Sequence, residues 1–143
     1  MSKKYIGFII ILTCSFFLLP TNIYSSSTEE DYELQEKCGR QCEEIYNTTY
    51  NGGKIQTSNG GSIYYNYENH YNKKLNKCFM LINEQRIRGT ITVIVIKLMD
   101  VNENKLYGTW AVGQGVMISC HVLAKRCKKY DEWVLRVKPY MEE

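Results

Sequence analysis

Four consecutive β-branched residues, Val93, Ile94, Val95 and Ile96, constrain this chain more than any other feature. Successive side chains of a strand point to opposite sides of its sheet, so an unbroken apolar run buries both sides at its centre. Phe79, Met80, Leu81 and Ile82 repeat the pattern. A sheet with one wet side would alternate apolar and polar residues instead. The chain therefore needs a sheet and a cover for each of its sides.

The covers are expected at the two ends of the domain. Residues 28 to about 46 read as a helix. Ser27 and Glu30 have capping-box spacing, Glu29, Glu30 and Asp31 suit the positive helix start, and Leu34, Cys38, Cys42, Ile45 and Tyr46 form an apolar stripe. Residues 129 to about 141 read as a second helix, with Tyr130, Val134, Val137 and Met141 on one stripe, Trp133 beside it, and Pro139 kinking or ending it. Between them lies an antiparallel sheet of four or five strands, at 62–70, 75–82, 89–99, 106–113 and 116–123. Asn102, Glu103 and Asn104 turn the third strand into the fourth. Two Asn-Gly-Gly triplets, at 51–53 and 59–61, mark turns, and the polar piece between them is a short edge strand or a loop. The expected class is α+β: N-terminal helix, sheet, C-terminal helix.

The first 25 residues stand apart from this domain. Lys3 and Lys4 precede an apolar stretch of about 15 residues, then Pro20 and the small residues Ser25, Ser26 and Ser27, the order of a secretory signal peptide. We expect cleavage near Ser25, leaving residues 26–143 as one domain in the periplasm or outside the cell. Cys14 sits inside the apolar run, which argues against a lipid-bearing start of the mature chain. Membrane attachment is expected only if the leader is retained. With Lys3 and Lys4 set aside, the 18 basic residues fall to 16 against 15 acidic ones, a net charge of +1. That balance gives no reason to expect nucleic-acid binding. Lys125, Arg126, Lys128 and Lys129 cluster around a cysteine without interleaved aromatics and read as a solvated turn.

After the leader come Cys38, Cys42, Cys78, Cys120 and Cys127. In an exported chain of this size, cysteines are expected to form disulfides. Cys120 and Cys127 flank a natural reversal, and joining them closes a loop of about eight residues, stabilising the fold by about 2.5 kcal/mol in the chain-entropy account. Cys38 and Cys42 lie one turn apart on the same helix face and cannot easily bridge each other. Cys78, on a central strand, can meet one of them for about 4 kcal/mol. Five is odd, so one thiol is left over. Cys38, Cys42, Cys78, Cys120, His70 and His121 are also metal-ligand types, but their spacing matches no zinc module, and no metal or other cofactor is expected. The absence of a Cys-x-x-Cys pair removes the usual redox motif.

Tyr46, Tyr50, Tyr64, Tyr65, Tyr67 and Tyr71 fall within 26 residues and are interleaved with asparagines. Tyr and Asn together make recognition surfaces of low entropy cost, and Tyr also serves simply as a strand residue. We take Tyr64, Tyr65, Tyr67, His70 and Tyr71 as candidate binding residues, with no catalytic residue assigned. Glu68 and His70, two apart on a strand, share a face and form the one acid–base pair on which a small hydrolase would rest. Gly113-Gln114-Gly115 lacks the third glycine of a dinucleotide loop, and Asn47-Thr48-Thr49 is a sequon with meaning only in a eukaryote.

The run from Tyr67 through His70, Tyr71, Asn72, Leu75, Asn76, Lys77 and Cys78 to Phe79, with the ending from Cys127 through Trp133 to Glu142, resembles a group of uncharacterised exported bacterial proteins. That resemblance implies export in a Gram-negative type of cell and carries no activity or ligand with it. It implies one cysteine in the first helix, hence a Cys38–Cys78 pair with Cys42 as the departure. The expected function is a non-catalytic binding domain for a protein, peptide or glycan of the cell envelope. The alternative is a small hydrolase-like enzyme using His70 and Glu68.

Overall fold

The computed structural model of the protein describes residues 26–142, and the expected leader with its cut near Ser25 lies outside the described residues. The described chain is an α+β fold: helix α1 (Ser26–Thr49), strands β1 (Lys54–Gln56), β2 (Ser62–Asn72), β3 (Lys77–Arg88), β4 (Ile91–Asp100), β5 (Lys105–Gly113), β6 (Val116–Val122) and β7 (Lys125–Arg126), then helix α2 (Tyr130–Met141). The strands form one antiparallel sheet in chain order, each paired with the next through a short turn. Seven strands replace the four or five expected. The two added ones, β1 and β7, are edge pieces of three and two residues with too few apolar positions to carry a pattern.

The unbroken apolar runs find their two covers. On β3, Cys78, Met80 and Ile82 join Cys38 and Cys42 of α1 in one buried cluster. Phe79 packs instead with Ile96, Leu98, Trp133 and Val137 in a second cluster that contains α2. Adjacent residues of the same strand thus enter different cores, as strand geometry requires. The sheet is the middle layer, with α1 over β2 and β3 on one side and α2 over the other. No helix among the described residues is long and apolar enough to cross a membrane.

Local chemistry sets the ends of the elements. β3 starts at Lys77 rather than near 75 because the turn before it places Asn76 at φ 51°, a left-handed position that Asn tolerates. β3 runs to Arg88, well past the expected end at 82. Its outer half, Asn83 to Arg86, is polar because Asn83, Gln85 and Arg86 face water, while buried Glu84 is paired with Arg86 and with Lys97 of β4. The β4–β5 turn is held by buried Asp100, whose carboxylate takes Lys77 and accepts the Glu103 backbone N–H at 3.1 Å. Buried Asn72 ties α2 down: its Nδ2 donates to the Pro139 carbonyl at 2.8 Å and its Oδ1 accepts from the Leu75 N–H at 3.0 Å. Pro139 lies inside α2, within its last turn.

After α1 the chain needs two glycines. Gly52 and Gly53 have φ of 63° and 106°. A Cβ on Gly53 would lie 2.1 Å from the Tyr46 hydroxyl, which donates to the Tyr65 carbonyl at 2.8 Å. Only glycine combines that backbone with that close approach.

Two disulfides staple the fold. Cys38–Cys78 joins α1 to β3 with Cα atoms 5.3 Å apart, and Cys120–Cys127 joins β6 to the segment before α2 with Cα atoms 5.1 Å apart. Cys42 is a buried free thiol, its sulfur 3.7 Å from that of Cys78.

Candidate functional site

Strand alternation divides the tyrosine-rich segment. Tyr64, Asn66, Glu68 and His70 of β2 share the α2 side of the sheet with their cross-strand partners Gln85, Asn83, Leu81 and Phe79 of β3. Tyr65, Tyr67 and Tyr71 point the other way and pack against the core beneath α1. The rings of Tyr46 and Tyr67, and those of Tyr50 and Tyr65, lie with centroids 4.7 Å apart. Burial pushes the hydroxyls of Tyr50, Tyr65 and Tyr67 up from their ordinary values. The Tyr71 backbone N–H donates to Gln35 of α1 at 2.9 Å, and its hydroxyl donates to Asn76 at 2.8 Å. The five residues taken as one binding set are therefore not one patch. Tyr65, Tyr67 and Tyr71 are the underside of α1, a division hidden in the sequence because alternation does not say which side a helix covers.

What remains on the open part of the α2 side is a grid. Tyr64, Asn66, Glu68, Asn83 and Gln85 are all exposed. They stand on paired strands in fixed register, with Tyr64 opposite Gln85 and Asn66 opposite Asn83. Lys54 of β1 lies 5.5 Å above the Tyr64 ring. At the inner end Tyr130, the first residue of α2, closes a small cavity of about 130 Å³ lined by Asn66, Tyr67, Glu68, Leu81, Asn83, Ile96 and itself. Tyr130 in turn packs on Trp110, centroids 4.8 Å apart. Amides, a carboxylate and two aromatic rings thus line a rigid sheet surface, a composition that supplies donors, acceptors and flat apolar area together. Asn83 and Gln85 escaped the sequence reading because the third strand was expected to end at 82.

The chemistry of a hydrolase finds less support. Glu68 and His70 share a face, but the cavity beside Glu68 is not lined by His70. A Ser/His pair lies on β6: Ser119 Oγ is 3.3 Å from His121 Nδ1. The Ser-x-His spacing on a strand was the signal for it. No Asp or Glu occurs between Glu103 and Asp131, so that stretch supplies no carboxylate to orient His121 as a general base. Glu84, one of the buried carboxylates, is committed to structure. Burial pushes its pKa up, but hydrogen bonds and charge from Arg86 and Lys97 outweigh that and hold it below its ordinary value.

The sulfur atoms of Cys38, Cys42 and Cys78 lie within 4.8 Å of one another. Two of them are spent in the disulfide. Burial pushes the third, Cys42, up to about 12, so the thiol is neutral at ordinary pH. In the disulfide form the cluster offers one free sulfur donor, that of Cys42.

Compared with protein-family models, with curated proteins and with solved structures, the chain matches none.

Proposed function

We propose that this protein is an exported, non-catalytic binding domain of the periplasm or the extracellular space, and that it holds its partner on the open β2–β3 face. One observation carries the reading: Tyr64, Asn66, Glu68, Asn83 and Gln85 stand exposed, in register, on a doubly stapled sheet. Rigid strands hold polar groups with little left to order on binding, which is what a recognition surface needs. The ligand this face suits is rich in hydroxyl or amide groups, a glycan or a peptide of the cell envelope. Two disulfides and the leader pattern of the first 25 residues favour an oxidising compartment.

The test is capture from envelope extract by the immobilised domain, repeated with Asn66→Ala combined with Asn83→Ala. Both side chains are exposed, so the variant should fold as the wild type does while capture falls about tenfold or more, the loss of about 1.4 kcal/mol or more. Unchanged capture would move the binding surface elsewhere. A hydrolytic activity abolished by His70→Ala would replace the reading with the enzyme.

A further inference from the structure

The outer edge of β6 is a second surface, distinct from the β2–β3 face. β7 pairs with β6 at His121–Arg126 and Val122–Lys125, and just beyond it the Cys127 N–H donates to the Cys120 carbonyl at 3.0 Å. Residues 116–119 therefore have β5 on one side and, among the described residues, no strand on the other. Val116, Met117 and Ile118 are 67%, 43% and 63% exposed. Natural sheet edges are normally blunted by charge, proline, a bulge or a cover; this row has neither charge nor proline, and its one irregularity is a register shift at Ile118, where Ser119 pairs with Ala111 and Met117 with Val112. The edge runs into a cavity of about 570 Å³ whose lining includes Met117, Ile118, Ser119, His121 and Arg126. The Cys120–Cys127 bridge forms part of its wall and holds the returning chain in place.

Charge selects the occupant. Between Glu103 and Asp131 the chain contains no acidic residue, yet it holds Lys105, Lys125, Arg126, Lys128 and Lys129. Arg126 is exposed and lies directly across from His121 beside the cavity. Two copies of this chain meeting along the edge would each bring the same positive rim, whereas a strand carrying carboxylates gains from it. We propose that the β6 edge receives an extended acidic peptide segment of a partner protein, added to the sheet as a further strand. Main-chain hydrogen bonds form along residues 116–119, apolar side chains lie on Met117 and Ile118, and a carboxylate meets Arg126 with Ser119 and His121 beside it. This is strand addition, in which backbone bonding gives affinity and alternate side chains give selection.

The probe is a fluorescent peptide of about six residues, the usual strand length, alternating valine and glutamate. It is titrated by polarisation into the disulfide-intact protein. Saturable binding is expected, weakened about tenfold by Arg126→Glu, an exchange of one attractive charge contact worth about 1.4 kcal/mol. Arg126 is exposed, and circular dichroism checks that the variant is folded. A second measurement needs no protein variant: two peptides are N-methylated at alternate residues, in the two possible phases. Alternate residues of a strand aim their N–H groups at opposite edges, so one phase should abolish binding and the other preserve it. The proposal is overturned if both phases bind alike, if an oligothymidylate competes as well as the peptide, or if nothing saturates. It is equally overturned if wild-type protein dimerises in a way that Ile118→Lys disrupts and the peptide does not.

Discussion

Glu84 shows how one carboxylate shapes this sheet. It is 1% exposed, and it survives there because Lys97 donates to it at 2.9 Å and Arg86 donates to its other oxygen. Its folded pKa lies below the ordinary 4.5, so its contribution to stability is complete above that value and is lost as pH falls through the depressed one. Glu84→Gln should therefore cost about 1–2 kcal/mol at neutral pH, limited because both cations are partly exposed. The gap between wild type and variant should close as denaturation is measured at progressively lower pH. A gap that stays constant with pH would show that the charge contributes nothing. Cys42 is the opposite case, a titratable group kept neutral. With its pKa raised from 9.0 to about 12, it carries about a thousandfold less thiolate than an open cysteine. Iodoacetamide should label it only after denaturant is added, and prompt labelling of the native protein would contradict its burial. In the sequence neither role was visible. Glu84 lay in a polar run that looked like the end of a strand, and Cys42 was one of two equivalent positions on a helix face.

At the scale of elements, the sheet was readable where apolar patterning was long. β4, β5 and β6 were placed within about two residues, because their apolar runs are bounded by turn residues. β7 was not, since two polar residues carry no period, and β1 lies in the piece between the Asn-Gly-Gly triplets that reads as an edge strand or a loop. The faces were harder still: alternation separates Tyr64 from Tyr65, but only the path of α1 shows which of them is covered. The tyrosine pairs under α1 are partly buried and pack against the core, so Tyr65→Ala with Tyr67→Ala should lower stability, by less than the roughly 3–5 kcal/mol of a fully buried aromatic truncation. The two staples act on different elements. Cys38–Cys78 closes a separation of 40 residues and Cys120–Cys127 one of 7. In the chain-entropy account their removal by paired alanines costs about 4 and about 2.5 kcal/mol respectively. Urea denaturation of the two double variants should reproduce that order, and the reverse order would show that the short bridge matters for packing beneath α2 more than for the length of its loop.

Taken whole, the described chain is one sheet with a helix on each side and a polar face left open on β2 and β3. Double-sided burial was legible from Val93 to Ile96, and it required two covers. The recognition face was only half legible, because Tyr64 was among the expected binding residues while Asn83 and Gln85 were not. The central claim is that a partner rests on that open face and not on the row beneath α1. Side-chain amide resonances separate the two sides: Asn66, Asn83 and Gln85 report on the open face, and Gln35 and Asn69, which hydrogen-bond each other at 3.3 Å, report on the side under α1. The most direct measurement is a ¹⁵N correlation spectrum of the domain with the captured partner added. The account predicts that the Asn66, Asn83 and Gln85 amides shift or broaden while those of Gln35 and Asn69 stay in place. Movement of Gln35 and Asn69 with the other three unchanged would contradict it.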